Sequence, residues 1–289
     1  MKYKISTEIG SSAFLLPPPR AVEAVAKAGF DAFDFSMFEM AHYNWSTGKA
    51  TVGDSPLCGP GYAAYAREMG HIARECGIEC NQSHAPFPVC APEIRALLPR
   101  AIECTAEAGG KICVIHPDNN LSPEENARMY RELLPLAKSC GVKIATENMW
   151  NWDKTADRAA PAACALPENF LSHLRAVDDP FFVACLDIGH AEMMGERTNA
   201  PAMTRALGPY CQALHLHDND RWHDSHLLPY DGKIDYPAVL CALRDISYSG
   251  YLTLEADQSL RHSGCDVEEG YRRMAGVAGR LAAELAEMD

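Results

Sequence analysis

Six residues able to hold a cation or move a proton stand at the ends of successive apolar runs: His84, His116, Glu147, Asp187, His215 and Glu255. One His in such a place is more often a hydrogen-bonded structural residue than a ligand. Six run ends that all carry His, Asp or Glu are hard to assign to core packing, because buried charge is costly unless paired or bound to metal. Glu147, Asp187, His215 and Glu255 together offer a hard, mostly oxygen donor set with one borderline nitrogen. That set suits one divalent metal (Mn²⁺, Co²⁺ or Mg²⁺) in an open shell, with positions left for water or two substrate oxygens. Further histidines would shift the preference toward Zn²⁺ and make room for additional zinc.

Two segments add detail. In Asp187-Ile188-Gly189-His190, the glycine is expected to let the backbone turn so that His190 comes back over the same place. The plainer reading of His190 is a residue that orients a carboxylate. The densest run extends from His215 to His226. His215 and His217 lie two apart and share one face of a strand. Arg221 could clamp a carboxylate, a phosphate or a hydroxyl pair. Asp224 and His226 are spaced to add a second metal or more substrate contacts, whereas His217 and His223 read better as structural residues.

The elements that must position these groups recur as β-rich run, polar turn and amphipathic helix. Strands are expected over 2–6, 30–35, 78–83, 111–115, 142–146, 182–186, 212–216 and 251–254. Helices are expected over 20–28, 62–76, 92–108, 123–140, 167–177, 200–207, 236–246 and 267–287. Prolines mark several helix starts, and Gly29, Gly77, Gly110 and Gly141 mark helix-to-strand joins where a cap glycine is expected. Eight such alternations predict a single α/β domain over 1–289, a (β/α)₈ TIM barrel of parallel strands. An open doubly wound sheet is the weaker choice, since no Gly-rich phosphate turn follows the first strand. Strand ends of a closed barrel meet around one axis, which would gather the six residues at one mouth. The connections 37–61 and 219–235 are long enough to be functional; Phe38, His42, Tyr43 and Trp45 in the first could wall a pocket or simply pack on one another.

With 289 residues the chain suits one barrel plus loop insertions. A formal charge of −13 makes nucleic acid an unlikely partner and argues against a basic membrane-binding surface. No apolar run reaches membrane-spanning length, and Met1–Ser6 has no signal-peptide character, so a cytoplasmic location is expected. The twelve cysteines, among them Cys104, Cys113, Cys140, Cys185 and Cys241, are scattered through expected helices and strands and read as reduced thiols.

The motifs Thr146-Glu147-Asn148, Leu186-Asp187-Ile188-Gly189-His190, His215-Leu216-His217-Asp218 and Leu254-Glu255-Ala256 carry a resemblance. In their order and placement the chain resembles the xylose isomerase-like TIM-barrel superfamily, the sugar phosphate isomerases and epimerases, which also contains endonuclease IV. Likeness to the ketose 3-epimerases implies that Glu147, Asp187, His215 and Glu255 bind one metal. It implies too that Glu147 and Glu255 are the catalytic acid/base pair, and that His190 and Arg221 contact substrate. His215 is preferred to His217 because the family's ligand His stands three before an acidic residue, here Asp218. Likeness to endonuclease IV implies instead a three-zinc set of His84, His116, Glu147, Asp187, His190, His215, Asp224, His226 and Glu255. The Met-Trp-Asn-Trp after Asn148 and the Ala-Glu-Met-Met-Gly after His190 depart from that enzyme's pattern. The expectation is a metal-dependent isomerase or epimerase of a small sugar or polyol, working through a metal-stabilised enediolate. His84, His116, His190, Arg221, Asp224 and His226 would bind the substrate. The alternatives are an endonuclease IV-like zinc phosphodiesterase, a dehydratase or lyase on a sugar or inositol derivative, and a barrel that binds without turnover. A homo-oligomer is left open. Specificity is expected from 37–61, 150–152 and Trp222.

Overall fold

A computed structural model describes residues 3–13, 15–256, 258–261 and 266–288; Lys2, expected in the first strand, lies outside them. Eight strands form the central sheet: β1 (Ile5–Glu8), β2 (Ala32–Ser36), β3 (Glu79–His84), β4 (Ile112–Val114), β5 (Lys143–Glu147), β6 (Phe182–Asp187), β7 (Cys211–His215) and β8 (Leu252–Leu254). Each of β1 to β6 pairs in parallel with the next, and β8 returns to β1. The ring closes through a parallel bridge from Leu216 to Leu254, where Leu216 N donates to Thr253 O at 2.9 Å and Glu255 N to Leu216 O at 3.0 Å. The expected (β/α)₈ barrel is therefore the fold.

Eight helices follow the strands: α1 (Pro18–Ala28), α2 (Tyr62–Glu75), α3 (Leu98–Ala108), α4 (Pro123–Cys140), α5 (Pro167–Val177), α6 (Ala200–Leu207), α7 (Tyr236–Asp245) and α8 (Val267–Glu287). Helix α4 illustrates how the sequence sets them. Ser122 and Glu125 form a reciprocal capping box, Pro123 needs no donor in the first turn, and Gly141 ends the helix in the left-handed region at φ 66°. Its Ala127, Tyr130, Leu134 and Ala137, three or four apart, are buried as one stripe. The stripe is pinned to β5 by the Tyr130 hydroxyl, which donates to Ile115 O at 3.0 Å and lies 2.9 Å from Thr146 Oγ1.

Two local expectations are corrected. The helix expected over 92–108 is broken into a short helical turn at Pro92–Arg95 and α3, which starts at Leu98 with Pro99 in its first turn. The left-handed cap after α3 is Gly109, at φ 94°, and not Gly110. At Gly110 the constraint is space: a β-carbon there would sit 2.9 Å from Thr105 Cγ2.

Side-chain alternation decides what enters the barrel. Val114, Ala145, Val183, Cys185 and Ala213, on β4 to β7, form one apolar interior cluster. Two residues further along β5, β6 and β7, on the same face, stand Glu147, Asp187 and His215. The other half of the interior is polar, with Ser6 Oγ donating to Asn81 Oδ1 at 2.7 Å and Asn81 Nδ2 to Thr253 Oγ1 at 3.0 Å. Two antiparallel hairpins stand above the mouth, Ala41–Asn44 with Lys49–Val52 and Trp150–Asp153 with Arg158–Pro161. The first structures the long 37–61 connection. The second was not foreseen as structure. Among the described residues no helix is long and apolar enough to cross a membrane, and all eleven described cysteines are unpaired.

Candidate active site

His84 ends β3, Glu147 ends β5, Asp187 ends β6 and His215 ends β7, while Glu255 directly follows β8. His116 lies two residues past β4. All are buried except Glu255, whose side chain keeps 13% exposure to the mouth. The closed ring brings them within contact. His215 Nδ1 lies 3.2 Å from Glu147 Oε2 and 3.1 Å from Glu255 Oε2. Glu147 Oε2 is also 3.3 Å from His116 Nε2 and 3.7 Å from His84 Nε2.

The chemistry of this cluster would suit a cation. Glu147 Oε2, Asp187 Oδ2 and His215 Nδ1 are buried polar atoms without a hydrogen-bond partner, an arrangement that is expensive unless a cation completes it. One donor atom from each of Glu147, Asp187, His215 and Glu255 falls within 4.8 Å of the others. Three carboxylates and one imidazole fit a divalent ion. Behind His215, Asp34 on β2 faces Nε2 at 3.3 Å and accepts a bond from Gln82 Nε2 at 2.8 Å. This leaves Nδ1 as the atom that faces the carboxylates. Asp34 and Gln82 were absent from the sequence reading, although a lone acid inside the apolar run Phe33–Ser36 is a usable signal.

A second donor group adjoins the first and contains His190, His217, Asp224 and His226. Asp224 Oδ2 lies 3.4 Å from His190 Nε2 and 3.2 Å from His226 Nε2. His217 Nε2 faces Asp187 at 3.1 Å and Asp224 at 3.5 Å, has no hydrogen-bond partner, and its ring stacks on His226 at 4.1 Å. His217, expected as a structural residue, thus stands among these donors and beside Asp187. Three histidines and one carboxylate make a softer, zinc-like set. The chain does turn after Asp187, into a short helix at Ile188–Glu192 that brings His190 back beside Asp187. Gly189 itself is required there for close approach, since a β-carbon would come within 1.9 Å of the His217 ring.

The loop that delivers Asp224 and His226 is organised by Asp218. Its backbone pairs with Leu227 in both directions, at 2.7 and 2.9 Å. Its carboxylate accepts from the amides of Asn219, Tyr230 and Ile234. Arg221 is carried away from the mouth. Its guanidinium lies 3.2 Å from Glu192 and lines a separate cavity, so it is not grouped with the other expected substrate contacts. Exposed His223 pairs with Asp220 and stacks on Trp152. Trp222, 53% exposed, also lines the separate cavity.

Without a cation the groups titrate against one another. Burial would raise Glu147, yet His215 and His116 hold it well below the usual carboxylate range. Burial raises Glu255 to about 8, with Glu147 and Asp187 adding to the effect against the pull of His215 and His226. Burial would lower His190, but the carboxylates of Asp187 and Asp224 raise it to about 10.

Above both groups opens a cavity of about 570 Å³. Its floor includes His84, His116, Glu147, His190, Asp224 and Glu255, and its walls are Tyr43 and Trp45 of the first hairpin, Phe87, and Trp150 and Trp152 of the second.

Comparison with known proteins agrees with this architecture. Residues 22–277 match the family model described as xylose isomerase-like TIM barrel. An uncharacterized protein of Methanocaldococcus jannaschii is 28% identical over 190 residues, 60% of this chain and 62% of that protein, so the match spans under two thirds of the relative's length. A D-tagatose 3-epimerase-like protein superposes with a TM-score of 0.72 at 22% identity, covering 99% of this chain and 97% of the other. The IolI protein solved with a zinc atom superposes with a TM-score of 0.68 at 18% identity, covering 98% and 96%.

Proposed function

Because the chain belongs to the xylose isomerase-like TIM-barrel family, we propose that it is a divalent-metal-dependent enzyme that isomerises or epimerises a small polyhydroxy carbonyl compound. The observation that carries this reading is the meeting of Glu147 and Glu255, from strands on different sides of the ring, on His215 Nδ1 at 3.2 and 3.1 Å under an open pocket. Glu147, Asp187, His215 and Glu255 would hold the cation. Bound there, it supplies Lewis-acid polarisation of a substrate carbonyl and an adjacent hydroxyl.

The chain's own residues do the rest. One of the two glutamates takes the proton from the carbon next to the carbonyl, and the electron pair of that C–H bond moves toward the carbonyl. The other glutamate returns a proton, at the opposite face of the same carbon for epimerisation or at the former carbonyl carbon for isomerisation. In isomerisation the hydroxyl on the first carbon gives up its proton, the former carbonyl oxygen takes one, and the carbonyl moves over by one carbon. His84, His116 and His190 stand beside the pair and can position hydroxyls. Asp34 fixes the ring of His215 from behind. The burial of the pair keeps bulk water from quenching the intermediate.

The test is Glu147→Gln and Glu255→Gln, with metal content measured alongside. Ketoses are incubated in D₂O with Mn²⁺, and exchange of the proton next to the carbonyl is followed by NMR. Exchange in the wild-type protein that falls by at least about 100-fold in both variants supports the roles. Unchanged exchange in either removes that residue from the pair.

One observation favours a second reading, zinc phosphodiester hydrolysis. The groups His84–His116–Glu147 and His190–His217–Asp224–His226 flank the central four residues and could hold further ions. EDTA-sensitive nicking of an abasic duplex supports that activity, and its absence removes it.

A further inference from the structure

The pocket is larger than a single sugar requires, and among the described residues it lacks the lysine or arginine that a sugar phosphate would call for. Its 570 Å³ exceeds the space displaced by one hexose ring, about six waters of roughly 30 Å³ each. About two thirds of the cavity then lies beyond a ring seated on the carboxylates. That outer part has its own character. Tyr43 and Trp45 meet edge to face at 4.8 Å, and Trp150 and Trp152 do so at 6.3 Å. Below the second pair runs an amide ladder, in which Asn119 Nδ2 donates to Trp150 O at 3.0 Å and Asn151 Nδ2 to Asn120 Oδ1 at 3.1 Å. Flat aromatic faces beside fixed amides are suited to a ring with one apolar face and a polar edge.

Charge narrows the choice. No lysine or arginine lines the cavity among the described residues, whereas Asp118, Glu147, Asp224 and Glu255 do. Arg221 is turned into the neighbouring cavity and held by Glu192. Beyond the histidines and acids of the floor, a phosphate or carboxylate in the outer part would meet aromatic faces, amides and Asp118, with no lysine or arginine among the described residues to offset its desolvation.

We propose that the substrate is an uncharged glycoside: a carbonyl-bearing sugar on the metal-site floor, joined to a second uncharged ring held between the two tryptophan-bearing hairpins. This rests on the reading of the floor as the place where a proton is moved next to a carbonyl, and it adds the class of molecule that brings the carbonyl there.

Binding to the Mn²⁺-loaded protein tests it by calorimetry, which does not depend on turnover. Isomaltulose is compared with D-fructose, phenyl β-D-glucoside with methyl β-D-glucoside, and D-fructose 6-phosphate with D-fructose. The second ring should improve affinity by roughly tenfold or more in at least one of the first two pairs. The pair that responds tells a second sugar from an aromatic aglycone. The phosphate should bind no better than the free ketose. Trp152→Ala and, separately, the exposed Trp45→Ala should each bring the two-ring to one-ring ratio toward one while metal content is retained. Equal affinity within both ring pairs, no binding of any probe, tighter binding of the phosphate, or an unchanged ratio in both tryptophan variants overturns the proposal. Two-ring preference without deuterium exchange upholds it and rejects the proton-transfer reading instead.

Discussion

Asp34 never touches the pocket, yet its replacement by Asn should weaken metal binding at the central site. The carboxylate lies 3.3 Å from His215 Nε2 and both side chains are fully buried. At that distance, and with an effective dielectric of about 20, a full charge pair would interact by about 5 kcal/mol. A metal-bound imidazole carries only part of that charge, and the amide introduced by the substitution could still accept one hydrogen bond through its oxygen. The loss should therefore fall in the range found for carboxylates that support ligating histidines, about 10- to 100-fold in affinity, or about 1.4–2.7 kcal/mol. The assay is competition of Mn²⁺ or Zn²⁺ against a chromophoric chelator, with circular dichroism to establish that the variant is folded. Gln82 Nε2 bonds to Asp34 at 2.8 Å and lies 3.1 Å from His215 Nε2, so Gln82→Leu removes an uncharged polar neighbour of the same ring and should weaken binding less than loss of the carboxylate. A folded Asp34→Asn protein with wild-type metal affinity would refute the idea that Asp34 orients His215 for a cation.

Three further outcomes follow from the same geometry. Chelating the bound metal should lower Tm by about 4–5 °C in calorimetry. Free metal at about a hundred times Kd contributes about 2.7 kcal/mol, and a chain of 289 residues has an unfolding entropy of about 0.6 kcal/mol/K. Gly189→Ala should cost about 1–3 kcal/mol, read as a fall in Tm of about 2–5 °C, because its β-carbon would overlap the His217 ring. Loading the metal-free protein at pH 7 should release protons. His190, raised to about 10, and Glu255, raised to about 8, both carry a proton there, and a cation would displace it. Calorimetry in buffers of different ionisation enthalpy measures the number released; a value of zero contradicts the assignment of these residues to cation sites.

The barrel was legible because its pattern is repeated: eight apolar runs, each followed by an amphipathic helix, leave few topologies to consider. What was not legible depended on geometry that spacing does not encode. The interruption before α3 was not legible from proline alone, since Pro99 falls in the first turn of α3 while Pro135 lies inside α4 without ending it. The hairpin at 150–161 carries Trp150 and Trp152, but its strands are four residues each, too short for a convincing alternation. Gly109 and Gly110 are adjacent, and only the observed φ of 94° identifies which one turns the chain.

For the site, strand-end position was the strong signal, since closure of a barrel converts a list of ends into a ring. It brought together Glu147, Asp187, His215 and Glu255, with His84, His116, His190, Asp224 and His226 around them. It failed for Arg221, whose place on a loop is set by the hydrogen bonds of Asp218 and by the nearby carboxylate of Glu192. It also failed for His217, which stands two residues past the end of β7 and yet reaches Asp187 with its ring at 3.1 Å. Asp34 was missed as well. One layer deeper than the mouth, it stands where the polar half of the interior meets the donors, and so supports His215 from the side that no ligand reaches. A site of this kind has two requirements: carboxylates held close enough to need a cation, and a polar floor that keeps their histidine partners in one orientation. The strand ends announce the first. The second is written in the inward residues one layer down, Asp34 and Gln82, of which Asp34, an acid between Phe33 and Phe35, carries the mark to look for.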